Sequence, residues 1–291
     1  MLKNISFPSP GRLKKAKFDQ KRKFFLMLAT PTILMTALTT LIPLAMIVWD
    51  SFQDKAGNLT FQQYFKTFTD TYFLSSLQFT IFMALLVTIA SIIISFPIAY
   101  MFARNKWMRE HLFGFVTVPR MLPFFAIAYS LILLLAPVTG IVNTVLVNDL
   151  KLLSKPLDIL FSPIGLGIGL LYLRTVLCIS MLTGIIQETN PNFELAAKSL
   201  GASSFTTFTR IVIPLSIPGI IAAGSMAFSE TVAAYSIPLM LTGRGIPMVS
   251  VLLRTQLLFL RNHNLAYTQA VIVAVVSIIC VIISKKALER R

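Results

Sequence analysis

Residues 188–214 read ETNPNFELAAKSLGASSFTTFTRIVIP. The order of residues describes a helix, a tight turn and a second helix. Asn190 is suited to cap a helix start and Pro191 to its first position, with Phe193-Glu194-Leu195-Ala196-Ala197-Lys198-Ser199-Leu200 continuing it. Gly201 supplies the stop, because the residue after a helix often takes positive φ. Ser203 or Ser204 then caps a second helix that runs through Phe205 and Phe208. On either side the character changes abruptly. Residues 162–187 and those beyond Arg210 are long apolar runs, so this stretch is a structured polar bridge between two hydrophobic segments.

Outward from that bridge, the whole chain is apolar. Of 291 residues, 56% are hydrophobic and only 13% charged, about half the charge of an ordinary soluble domain. About 20 apolar residues cross a bilayer core. Six runs meet that length: 24–49, about 77–102, about 114–137 (containing Arg120 and Pro123), 162–187, a run from beyond Arg210 to Leu241 interrupted by Pro214, Pro218 and Pro238, and 266–284. The expected fold is an all-α integral membrane protein of six transmembrane helices, with a short helix in the loop between spans four and five. The expected organisation is a basic tail 1–23, a membrane domain 24–284 containing the loop 188–210, and a basic tail 285–291.

Charge sets the orientation. The two tails, the turn at 104–112 and the loop 188–210 hold 17 of the 26 Lys and Arg, against seven in the opposite loops. Positive residues concentrate on the cytoplasmic side, so both termini and the loop 188–210 are expected in the cytoplasm of a multi-pass inner-membrane protein. The net charge of +15 therefore reflects topology and contact with anionic lipid. No soluble domain is left to carry a nucleic-acid surface. An apolar stretch in the last opposite loop, 247–260, is too short to span and reads as an interfacial or re-entrant helix. Cys178 and Cys280 both fall inside spans as small packing residues.

At residues 194–214 the chain resembles the permease subunits of bacterial ABC importers. Their loop carries Glu-Ala-Ala, three residues, Gly, nine residues, then Ile-x-Leu-Pro. Here Ala196-Ala197, Gly201 and Ile211-Val212-Ile213-Pro214 keep that spacing. Leu195 stands at the Glu position with Glu194 one residue earlier, which turns the carboxylate by about 100° on a helix. Ile213 replaces Leu. Gly140-Ile141-Val142-Asn143, Phe161-Ser162, the segment 214–219 and Ile237-Pro238-Leu239-Met240-Leu241 resemble the polyamine (spermidine/putrescine) branch, so the likeness covers roughly residues 25–285.

The resemblance implies a six-span permease fold and alternating access. It also implies two cytoplasmic ATP-binding subunits, a second permease chain related to this one, and an external substrate-binding protein. Glu194, Ala196, Ala197, Gly201 and Pro214 become the expected ATPase-coupling residues, with shape carrying the docking more than one salt bridge. The cargo it implies is a polyamine or related small polar solute.

The residues bear on the mechanism independently. No Gly-x-x-x-x-Gly-Lys-Ser/Thr phosphate loop occurs, so ATP is expected to be used by a partner and no cofactor by this chain. Gly165, Gly167 and Gly169 lie within a span, where small residues let helices approach. His111 and His263 stand alone. Arg174 in span four and Glu230 in span five are ionisable groups inside the membrane, where a central Arg costs about 2.5–3.5 kcal/mol on insertion scales. They either pair structurally or line the translocation path, and Tyr235 is either a gate or core packing. Arg120 is placed to snorkel to the interface. Glu230 and Tyr235 suit a polyamine; Arg174 and the basic loop 242–265 suit an anion such as a phosphonate. A secondary transporter or channel is the competing class, but it calls for paired, interrupted half-repeats. A membrane enzyme calls for a catalytic cluster at the membrane surface, and none is visible.

Overall fold

The computed structural model describes residues 27–54, 57–243, 245 and 247–289, with backbone alone at 283–285 and 287–289. The basic tail 1–23, Arg244, Arg290 and Arg291 lie outside the described residues. Every major element is a helix: α1 Met27–Asp50, α2 Gln62–Thr69, α3 Thr71–Arg104, α4 Lys106–His111, α5 Phe113–Met121, α6 Phe124–Leu135, α7 Pro163–Glu188, α8 Asn192–Ser199, α9 Ser204–Val232, α10 Ser236–Leu241, α11 Val249–Phe259 and α12 His263–Glu289. Five of these, α1, α3, α7, α9 and α12, are individually long and apolar enough to cross a membrane, and α5 with α6 make a sixth.

Local chemistry accounts for the boundaries. Asp70 Oδ1 accepts from the amides of Tyr72 and Phe73 and starts α3. Ser162 Oγ accepts from Gly165 N and starts α7, with Pro163 at a position that needs no amide hydrogen. Two prolines inside long helices are preceded by π-turns, Ala37–Leu41 before Pro43 in α1 and Phe208–Val212 before Pro214 in α9. A proline ring collides with the carbonyl four residues back, and the wider turn accommodates it.

Three boundaries differ from the sequence expectation. The third span is not continuous: α5 and α6 meet at 108°. Pro123 forces Leu122 into extended backbone (φ −81°, ψ 145°), which no helix tolerates. The fifth span begins earlier, at Ser204, so the second loop helix and the span are one rod of about 43 Å. It also ends earlier, at Val232, and residues 236–241 form the separate helix α10 after a break at Ala233–Tyr235.

Helices α3 and α7 pack along each other and α9 crosses both. Lipid tails are as apolar as leucine, so close packing, not expulsion from water, holds such helices together. One core cluster, including Phe96, Ala99, Leu177, Leu182, Val212 and Ala223, fills the half nearer α8 (the loop end). Another, with Met83, Ile127, Leu170, Leu173, Ile237 and Leu241, fills the half nearer the breaks. Gly169 serves the close packing expected of it. A methyl group there would sit 3.0 Å from the ends of Leu131 and Leu241, so α6 and α10 pack directly on its backbone. Helix α11 is too short to span and packs through Val249 and Leu252 on Phe73 and Ile272, with its first amide donating to Thr80 Oγ1 at 2.9 Å. It caps the end of the bundle opposite α8. Helix α1 has no buried residue.

Candidate functional site

Two places in the bundle bring together groups that the packing alone does not require. The first is at the loop end. Helix α8 starts as its sequence dictates, with Asn190 Oδ1 accepting from Asn192 N at 2.9 Å. It ends in a Schellman motif: Gly201 (φ +84°) donates to Lys198 O and Ala202 to Ala197 O, both at 3.0 Å. Ser203 Oγ then accepts from Thr206 N and α9 begins. The turn between the two helices is thus closed by three hydrogen bonds.

Glu194 faces inward, the direction opposite to a docking surface. It is 7% exposed. Arg104, at the end of α3, donates to its Oε1 through Nε at 2.8 Å, with Nη2 in ion-pair contact with the same oxygen at 2.7 Å, and Tyr100 donates its hydroxyl to Oε2 at 2.7 Å. Arg104 also donates to Thr189 O beyond the end of α7. The ring of Tyr100 packs edge-on against Phe208 of α9, centroids 5.2 Å apart. One carboxylate therefore ties α8 to α3, and its partners tie both to α7 and α9. The outward face is apolar, with Phe193 and Leu195 exposed, Leu200 89% exposed and Phe205 77% exposed. Ala196 is exposed beside them and Ala197 half-buried.

The second place is inside the bundle, where both broken spans meet. Arg120 and Phe124 border the break between α5 and α6; Ala233, Ala234, Tyr235 and Ser236 form the break after α9. Together with Arg174 and Glu230 they line a cavity of about 430 Å³. Non-helical backbone at membrane depth survives only where protein or water satisfies it, and Ser250 Oγ donates to Ala234 O here at 2.6 Å. Arg174 is 5% exposed and donates to Glu230 twice, through Nη1 to Oε2 and through Nη2 to the backbone carbonyl at 3.1 Å. An interhelical hydrogen bond in a membrane is worth about 0.6 kcal/mol, at most about 1.7. A doubly bonded ion pair is what it takes to hold a buried guanidinium whose insertion costs several times that.

The structure thus pairs Arg174 with Glu230 and at the same time sets both on the cavity wall with Tyr235. Arg120, exposed, lies beside the break. The bend at Leu122 carries it onto the same wall, a placement that no local signal in the sequence announces. Tyr100 and Arg104 were also missed. They stand four residues apart and so share a helix face, but nothing in the sequence pairs them with a carboxylate 90 residues later. Among the described residues, no group of three or more His, Cys, Asp or Glu is placed to hold a metal.

Residues 95–291 match the family described as "Binding-protein-dependent transport system inner membrane component". The chain belongs to this family. It is a permease subunit of a binding-protein-dependent ABC importer and a multi-pass inner-membrane protein. It is 29% identical over 232 residues to the spermidine/putrescine transport system permease protein PotB of Haemophilus influenzae, covering 76% of this chain and 79% of the relative. PotB of Escherichia coli is 27% identical over 231 residues, covering 76% and 82%. These relatives support the resemblance to the polyamine-type branch. The probable sulfate transport system permease protein cysT of Marchantia polymorpha is 27% identical over 269 residues, covering 90% and 86%. In fold, the chain matches a bacterial ABC transporter involved in import of the acidic polysaccharide alginate, with a TM-score of 0.80 at 17% identity, over 95% of this chain and 99% of the other. It also matches a bacterial alginate ABC transporter in complex with an alginate pentasaccharide-bound periplasmic protein, at TM-score 0.80 and 18% identity, over 94% and 96%.

Proposed function

We propose that this permease forms part of the translocation path of an importer driven by a separate ATPase, which docks on α8 at the cytoplasmic face. The carrying observation is the inversion of α8. Its one carboxylate is spent on the chain's own α3, while Phe193, Leu195, Leu200 and Phe205 are left exposed around the helix and turn. Exposed apolar groups at the polar end of a membrane bundle are a docking surface in want of a partner. Ala196 lets a groove close on the helix, so Glu194 acts as an anchor behind the surface and not as a contact on it.

The mechanism follows from the connections. A movement of α8 passes through the Glu194–Arg104 pair into α3, and through the hydrogen-bonded turn at Gly201 into α9. That rod carries Glu230 near its far end, so displacement at the loop shifts one wall of the cavity against Arg174 as a rigid body. Pro214 and its π-turn lie on this rod and set its entry angle. An external binding protein delivers the solute, a second permease chain covers the faces this one leaves open, and both termini are cytoplasmic. The cargo is a small charged solute. The relatives' names favour a polyamine; the cavity's charge favours an anion.

The test is purification of the full-length chain with any ATPase that accompanies it, followed by reconstitution. ATP-dependent uptake that is lost on Leu200→Glu, with the chain still folded, is the expected result. Uptake by the chain in the absence of any ATPase would overturn the proposal in favour of a secondary transporter or channel.

A further inference from the structure

We propose that the cavity beside Arg174 receives an oxyanion, a phosphate, phosphonate, sulfate or carboxylate group carried on the solute, and that Arg120 is the residue that recognises it. The inference rests on the reading of this cavity as part of the translocation path. It names the class of solute that the path takes.

The charges on the wall are two guanidiniums and one carboxylate. One oxygen of the carboxylate is already engaged, since Glu230 Oε2 accepts from Arg174 Nη1. Arg120 has no hydrogen bond or ion pair among the described residues, is exposed, and faces the same cavity. The wall therefore carries one positive charge in excess. Arg174 adds a second imbalance. Its Nε is buried and makes no hydrogen bond, although a guanidinium has five donors to place. Donors outnumber acceptors, and a buried polar group left without a partner calls for an explanation.

A polyamine entering this space meets a carboxylate whose charge is already balanced by Arg174, and an unpaired like charge that repels it. An oxyanion meets the reverse. Arg120 offers a planar fork that matches two oxygens. The cavity volume lies in the range of single small-molecule sites.

The experiment measures accessibility and charge separately. Ser236→Cys is placed in a full-length chain whose Cys178 and Cys280 are replaced by alanine. Membranes containing it are treated with an anionic or a cationic methanethiosulfonate, with and without ATP, in the presence of the co-purified ATPase. Rates are normalised to those with a free thiol. A positive wall concentrates counter-ions by about tenfold or more, so the anionic reagent should react about tenfold faster. Inorganic phosphate should slow it, Arg120→Gln should bring the two rates together, and Arg120→Glu should reverse their order. Arg120 is exposed and unpaired, so these variants are expected to fold. If the cationic reagent is equal or faster on the native wall, or spermidine protects where phosphate does not, the anion inference fails and the path reading stands. If neither reagent reaches the introduced thiol under any condition, the path reading fails and takes the inference with it.

Discussion

Among the described residues, two carboxylate–guanidinium pairs join helices in this permease, and they are built in opposite senses. At the loop end the acid is the sheltered partner: Glu194 is buried and Arg104 is the more open group. In the bundle the base is sheltered: Arg174 is buried and Glu230 opens onto the cavity. The first pair is saturated on the acid, since each oxygen of Glu194 accepts a hydrogen bond, from Arg104 Nε and from the Tyr100 hydroxyl, and Arg104 also reaches Thr189. The second retains an unused donor on Arg174 and has an unpaired Arg120 across the space. A saturated pair resists being pulled apart and suits a strut; an unsaturated one beside a cavity is ready to exchange partners with a solute. The asymmetry also says which deletion does the damage, because stranding the buried member costs far more than removing it.

The largest loss of stability is expected from Glu230→Ala. It leaves Arg174 uncompensated in mid-span, where insertion scales put the penalty at about 2.5–3.5 kcal/mol. Thermal unfolding of the detergent-solubilised chain would show it, and expression should fall with it. Arg174→Met, removing the buried member instead, should change stability by less than about 1 kcal/mol, because Glu230 keeps access to the cavity and methionine fills the space. It should still lower ATP-driven uptake by tenfold or more. Equal destabilisation by the two would mean that the pair's asymmetry has no energetic content.

The mirror image holds at the loop end, on a smaller scale. Arg104→Ala strands Glu194, and breaking a buried pair costs about 3–5 kcal/mol. Here the retained Tyr100 bond and the nearby water reduce that to about 2 kcal/mol. Glu194→Leu should be milder, since leucine suits the same sheltered site and Arg104 swings to solvent. The informative quantity is the ratio of ATP hydrolysed to solute taken up. If the pair is a strut, Glu194→Leu raises that ratio several-fold while the ATPase stays bound. An unchanged ratio would reduce Glu194 to a fold-stabilising residue.

How far this arrangement was legible in the sequence depends on how local its causes are. The spans follow from apolar runs, and α8 with its turn from Asn190, Gly201 and Ser203, because caps act within a few residues. Pro123 was visible, but a proline states only that a helix cannot continue. The 108° direction of the bend comes from packing on α7 and α10, and that direction alone puts Arg120 on the cavity. Likewise, Glu194 could be seen to be displaced from the family's position, but not to face Arg104 across 90 residues of chain. The charges were all readable; their partners were set by the crossing of helices that no single segment encodes.

Gly201→Val should come next in size, at about 1–2 kcal/mol. At φ +84° nothing lies within 4 Å of the added Cβ, so the whole effect is backbone strain from a β-branched residue in the left-handed region. The strain unwinds the Schellman turn between α8 and α9 without touching either ion pair. Uptake should fall while thermal stability changes little more than it does for Glu194→Leu. Retention of full uptake would show that motion reaches the cavity through α3 alone, which would sharpen the comparison by assigning all transmission to the Glu194–Arg104 strut.

The smallest effect is the control for both pairs. Lys106 and Glu110 form a third ion pair one turn apart on α4, at 3.7 Å and with both side chains largely exposed. It lies close in sequence to Arg104 and presents the same two kinds of charge, so it differs from the strut chiefly in solvation. Exposed pairs at this spacing contribute about 0.3–0.5 kcal/mol and are screened by salt. Lys106→Ala should therefore leave uptake unchanged and shift the unfolding midpoint by less than the scatter between preparations, with any residual shift vanishing at high salt. A loss comparable to that of Arg104→Ala would mean that positive charge as such, and not the sheltered geometry of Glu194, is what the loop end requires.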